Sequence, residues 1–175
     1  MSPLLPFIAS ASLIGLLGTA LADLWAETQK RVLKVPTPSW PMVGRWVAHL
    51  RHGQFTHDSI AKAPPVPGEA LLGWATHYVI GVLYAGVLYA GLLLAIFGIG
   101  WAHSPTLLPA LAIGIGTLVA PFFILQPGMG AGVLARRTPN PKVARLRSLA
   151  AHTAFGVSLF VAALLLNGLG LMPRG

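Results

Sequence analysis

"LLPALAIGIGTLVAPFFILQPGMGAGVLARR", residues 107–137, decides how this chain is read. From Leu107 to Leu125 it carries no charge. About 20 predominantly apolar residues suffice to cross a hydrocarbon core as a helix. Backbone there must satisfy its own hydrogen bonds, which makes the run helical. Gly128, Gly130 and Gly132 then alternate with other residues, and Arg136 and Arg137 follow. Glycine beside basic charge also suits a phosphate loop. A dinucleotide turn, however, needs a preceding strand and G-x-G-x-x-G spacing, and a Walker loop ends in Gly-Lys-Ser/Thr. Here the run before the glycines is a membrane helix, and Val133 follows Gly132. The stretch reads as a helix leaving the bilayer behind Pro127 through a tight glycine turn, on the charged side.

Composition extends that reading to the whole chain. Of 175 residues, 55% are hydrophobic and 9% charged, where a soluble domain has about 25% charged residues. The mean hydropathy of +0.72 places the chain among membrane proteins. With no cysteine, disulfides, thiolate metal sites and a cysteine nucleophile are excluded.

Three further apolar runs accompany the third: Leu4 to Trp25, Ala70 to Trp101 and Leu149 to Met172. The first lacks a basic leader and a cleavage site, so it reads as a retained helix. The expected fold is all-α: a polytopic membrane protein, a bundle of four transmembrane helices over about 4–25, 70–100, 106–126 and 147–171, forming one membrane domain over 1–175. Pro105, Pro109 and Pro121 mark the entry and a kink of the third helix, and Asn140 with Pro141 reads as N-cap and first residue of the helix that leads into the fourth apolar run. In the second, "GVLYAGVLYAG" places Gly81, Gly86 and Gly91 five apart, which turns them off any single face.

The net charge of +8 is a topology signal rather than a nucleic-acid footprint. Lys30, Arg31, Lys34, Arg45, Arg51 and Lys62 lie between the first two helices, and Arg136, Arg137, Lys142, Arg145 and Arg147 between the last two. Of the twelve basic residues, only Arg174 lies elsewhere. The positive-inside rule makes the basic side cytoplasmic. Both termini are then expected to be periplasmic in a bacterial inner membrane, with anionic lipid meeting the basic face. The segment 27–69 is cytoplasmic on this reading. In it "WPMVGRWVAHLRHGQF" sets Val43, Trp46, Val47 and Leu50 at helical spacing, an amphipathic helix at the membrane surface. "APPVPGE" is a stiff entry to the second helix. The tryptophans fall at helix ends and read as interface anchors.

Asp23, His77, Gln126 and His152 are the polar groups within or at the inner ends of the four helices, and helix direction assigns them to one layer near the cytoplasmic face. Intramembrane ionisable groups usually face the bundle interior or a cavity. Two histidines and a carboxylate suit a divalent transition metal, and His77 with His152 could ligate a haem. Asp23 with a histidine would instead handle protons. The plainer reading is helix packing or contact with headgroups. His49, His52 and His57 read as solvated or headgroup-facing.

The segments "VGRWVAHLRHGQFTHDSIAKAPPVPGE", "LGWATHYVIG" and "APFFILQPGMGAGVLARRTPNPKVARLRSLAAHTAFG" resemble a bacterial membrane-protein family known only as domain of unknown function 2938. The likeness runs from about "ADLWA" to the fourth helix. It implies a small polytopic inner-membrane protein and assigns no residue a role.

Three functions compete. Arg136 and Arg137 beside the glycine turn, with Arg45, suggest a cytoplasm-facing site for a small anionic ligand or lipid headgroup. His77 and His152 suggest a haem- or metal-binding redox protein. Asp23 and the histidines suggest a proton-coupled transporter or membrane enzyme; transport by four helices would require a homo-oligomer. No catalytic motif supports an enzyme.

Overall fold

The computed structural model describes residues 4–84 and 104–172. Five helices carry these residues: α1 (Leu4–Leu33), α2 (Trp40–Leu50), α3 (Glu69–Leu83), α4 (Leu107–Gly116) and α5 (Pro141–Gly168). Short helical turns lie at Ile60–Lys62, Pro121–Leu125, Gln126–Gly128 and Val133–Ala135. No strand occurs among the described residues. Three helical stretches, Leu5–Leu33, Leu107–Gly128 and Pro141–Gly168, are long and apolar enough to cross a membrane. The second expected span begins as α3; its remainder, with Gly86, Gly91 and Trp101, lies outside the described residues.

Helix ends follow local chemistry. α1 continues past the expected end at Trp25 to Leu33. Its last turns are polar but self-supporting: Arg31 Nε donates to Glu27 at 2.7 Å, and Lys30 and Arg31 sit where the helix dipole favours cations. Lys34 then takes φ +57°, and Pro36 prevents continuation. Within the apolar part, the Ser10 and Thr19 hydroxyls donate to the Pro6 and Gly15 carbonyls, which removes the desolvation penalty of a free hydroxyl. The third span is interrupted. Pro121 has no N–H to donate, and the ladder reopens as a π turn in which Gln126 N–H bonds to the Pro121 carbonyl. α5 starts as its sequence implies: Asn140 Oδ1 accepts from Val143 N–H at 3.2 Å, with Pro141 first in the helix.

The chain divides into two compact units. Unit 1 comprises 1–35, 79–116 and 151–175; unit 2 comprises 36–78 and 117–150.

Unit 1 is a helical core. Phe7, Ala11 and Ile14 of α1 lie four and three residues apart on one face. They pack with Ala110 and Ile113 of α4 and with Leu159, Ala162, Ala163 and Leu166 of α5. Small residues let the backbones approach: Gly114 of α4 faces Gly156 of α5, where an added Cβ would lie 2.6 Å from the Gly156 Cα. Large apolar side chains face outward instead, Leu108 at 74% exposure, and in unit 2 Val119 at 62%. Apolar surface this extensive is stable against lipid, not water.

Unit 2 is built on α2 crossing the start of α3. Each helix offers a glycine at the crossing. A Cβ on Gly44 would fall on the Glu69 carbonyl, and one on Gly73 on the Trp40 carbonyl. Val43, Gly44 and Ala48 form the buried face of α2; of the face expected from spacing only Val43 is buried, and Trp46, Val47 and Leu50 are half-buried.

Candidate functional site

The glycine turn of unit 2 is the frame of the candidate site. Met129, Gly130 and Ala131 N–H groups donate to the Leu125, Pro127 and Gln126 carbonyls at 2.8–3.1 Å. Arg136 and Arg137 N–H groups donate to Val133 and Ala131. These five amides are therefore occupied within the turn. Gly130 has φ +97° and Gly132 φ +74°, conformations that side chains other than glycine resist. Arg145 Nε braces the turn from α5 by donating to the Leu134 carbonyl at 2.8 Å.

The loop after α2 docks on this turn. His57 N–H donates to the Gly128 carbonyl at 2.9 Å, and Ile60 N–H to the Met129 carbonyl at 3.1 Å. Gly130 passes so close to Asp58 that its missing Cβ would lie 2.7 Å from the Asp58 carbonyl carbon. The Trp46 indole lies over Gly128 and donates to the Phe55 carbonyl at 3.0 Å. Trp46 thus has a structural seat beyond the interface anchoring read from its position.

Arg45 holds the far side of the loop. Its guanidinium forms a bidentate pair with Glu69, Nε and Nη2 each at 2.8 Å. Nη1 donates to the Ala63 and Ile60 carbonyls at 2.9 and 3.2 Å. The Arg45 hydrogen bond, then the Val66 N–H, holds the Glu69 carboxyl at about 2, well below the usual carboxylate range.

Together these segments enclose an open cleft of about 660 Å³. Lys62, Arg136 and Arg137 line it with His49 and His57, and Asp58 is the one carboxylate in the lining. His49 Nδ1 lies 2.8 Å from His57 Nε2, and His57 Nδ1 lies 3.2 Å from the Gly128 carbonyl. His57 is buried, 8% exposed. Sequence reading missed this histidine pair. Eight residues is no helical neighbour spacing, and only the loop's return onto the glycine turn joins them.

The four polar groups of the apolar runs divide between the units, Asp23 and His152 in unit 1, His77 and Gln126 in unit 2. His152 Nδ1 donates to the Gly114 carbonyl at 3.2 Å. Gln126 Nε2 donates to Ser148 Oγ at 3.1 Å, and its Oε1 is buried without a hydrogen-bond partner among the described residues. His77 stacks on Trp40, ring centroids 3.8 Å apart, with Trp74 and Tyr78 at its edges. Asp23 is half-buried in α1. Within unit 2, His77 and Gln126 thus have separate partners. Among the described residues no three His, Cys, Asp or Glu side chains group to hold a metal.

No curated protein and no solved structure matches the chain. A family model described as "Protein of unknown function (DUF2938)" matches residues 12–166, nearly the whole length. The chain belongs to this family, a set of proteins defined by shared sequence and without an assigned function.

Proposed function

We propose that this is a multi-pass bacterial inner-membrane protein whose basic loops face the cytoplasm and whose cleft binds a small oxyanion. The ligand class is phosphate or a phosphoester, whether free or carried by an anionic lipid headgroup. One observation carries the reading: Lys62, Arg136 and Arg137 share a single cleft with a histidine pair, against one carboxylate. Arginine and lysine are the usual partners of phosphate oxygens. The basic side chains would supply the main contacts. Arg45 acts as a positioning residue, because its donors face Glu69 and loop carbonyls. The side assignment rests on the distribution of basic residues, and both termini are then periplasmic.

Basic groups at a membrane also collect anionic lipid without any specific site. Binding measurements on the purified full chain separate the two. Inorganic phosphate, titrated in detergent, tests a free ligand; phosphatidylglycerol and phosphatidylcholine, compared by native mass spectrometry, test a headgroup. Saturable binding in either arm, at one site per chain, is expected. Co-purifying lipid in bulk proportion, with no saturation by phosphate, would overturn the proposal.

A further inference from the structure

We infer that His49 is the proton-dependent donor of this cleft: on entry of an oxyanion it takes up a proton on Nε2 and hydrogen-bonds the anion, while His57 fixes the ring from behind. The inference rests on the oxyanion reading above. The only bond formed is the Nε2–H bond, with a proton taken from solvent, and the anion is held without covalent attachment.

The hydrogen bonds define the relay. A carbonyl can only accept, so His57 Nδ1 must carry the hydrogen that reaches Gly128. In the neutral ring, His57 Nε2 is then an acceptor, and His49 Nδ1 must donate to it. That assignment leaves Nε2 as the remaining ring nitrogen of His49, a half-buried residue in the cleft lining. Protonation there gives an imidazolium whose Nδ1–H bond to His57 becomes charge-assisted and stronger. The buried His57, held by two bonds to one carbonyl, keeps the His49 ring oriented.

Charge around His49 supplies the coupling. From α2 and the turn after it come Arg45, Arg51 and His52, with Glu69 of α3 paired to Arg45. The following loop brings His57, Asp58 and Lys62, and the glycine turn brings Arg136 and Arg137. Burial first, then the basic groups around it, Arg45 and Arg51 among them, holds His49 below the ordinary histidine value. This favours the neutral ring when no anion is bound. A bound anion opposes that repulsion and favours the proton. By linkage, the proton tightens the anion by the same factor.

Calorimetric titration of the full chain with sulfate tests this, since sulfate keeps its charge where histidine titrates. Short-chain phosphatidylglycerol, a phosphodiester of constant charge, provides the headgroup arm. Each is measured at about pH 5.5 and about pH 8, either side of the ordinary histidine value, and in two buffers of different ionisation heat. Binding of either probe should take up a fraction of one proton and weaken by about tenfold towards the higher pH, within the limit of about tenfold per pH unit for one linked proton. His49→Gln should abolish both effects and keep the weaker binding; His52→Gln, at an exposed ring beside Arg51, should retain both. Buffer-independent heats and equal affinities in the unaltered chain overturn the inference without needing any variant to fold, and leave the cleft reading intact. Loss of the pH effect in His52→Gln as well also overturns it. No saturable binding at either pH overturns the cleft reading itself.

Discussion

Gly130→Ala probes the docking of the His57 loop on the glycine turn. The residue has φ +97°, outside the region alanine prefers, and its Cβ would lie 2.7 Å from the Asp58 carbonyl carbon and 2.9 Å from the His57 carbonyl oxygen. Ordinary contact begins near 3.4 Å, so the added methyl would overlap the His57 carbonyl oxygen by 0.5 Å, the Asp58 carbonyl carbon by 0.7 Å and the Asp58 carbonyl oxygen by more. Two routes of relief exist. If the loop stays docked, left-handed strain costs about 1–2 kcal/mol and overpacking about 1–3 kcal/mol, together about 2–5. If the loop lifts, three hydrogen bonds are lost, two from backbone amides and one from the His57 ring, at about 0.5–1.5 kcal/mol each. The cheaper route governs, giving about 1.5–4.5 kcal/mol. Hydrogen exchange at the His57 and Ile60 amides reads it directly. A drop of 2 kcal/mol in local stability corresponds to about thirtyfold faster exchange. Gly53→Ala is the control, because Gly53 has φ +73° but nothing within 4 Å of its added Cβ. It carries the strain without the overlap, and it should leave both amides protected. Unchanged exchange in Gly130→Ala, or the gain of about 0.4–1 kcal/mol that Gly→Ala gives at a compatible position, would refute the reasoning.

Three other perturbations test the frame. Gly44→Val sets a branched side chain against the Glu69 carbonyl and should destabilise the α2–α3 crossing by about 3 kcal/mol or more, at the upper end of overpacking; an unaltered melting temperature would contradict that crossing. In unit 1, Gly114→Leu meets the His152 carbonyl and the Gly156 Cα, and separating α4 from α5 also breaks the His152–Gly114 bond. A loss of about 2–4 kcal/mol is expected, read as the SDS concentration at half-unfolding. Acid should loosen the Arg45 clasp. Glu69 is held at about 2 in the folded chain against 4.5 as its ordinary value. Its folded value is the lower, so its contribution is complete above about 4.5 and is lost as pH falls towards about 2. The melting temperature should fall across that window, and Glu69→Gln should flatten the fall; an identical acid profile in the variant would show that another group controls it.

Much of the helical scaffold was legible in the sequence because its causes are local. Hydropathy marks the three spans, Asn140 and Pro141 mark the start of α5, and spacing marks α2 as a helix but names only Val43 of its buried face. The glycine turn was legible as a turn because a membrane helix, not a strand, precedes it. What was not legible depends on distant segments meeting. The pairing of Arg45 with Glu69 is one such case: Glu69 lies 24 residues on and becomes a neighbour only when α2 crosses α3. His49 and His57 were set aside as solvated for the same reason. Trp40 and Trp46, read as interface anchors, are placed by His77 and Gly128. Local pattern also misjudged length: apolar content ends near Trp25, but Glu27, Lys30 and Arg31 carry α1 on to Leu33 through their own ion pairs.

The oxyanion cleft is the central claim, and a charge-matched comparison tests it most directly. Arg136→Gln with Arg137→Gln removes two positive charges from the cleft lining. Lys34→Gln with Lys142→Gln removes two exposed charges from outside it. Equilibrium binding of inorganic phosphate to the full chain is then measured at one ionic strength. The account predicts that the arginine pair abolishes saturable binding, while the lysine pair changes affinity less than about threefold, the scale of screened surface charge. Equal losses in the two variants, or undiminished binding without both arginines, would contradict it.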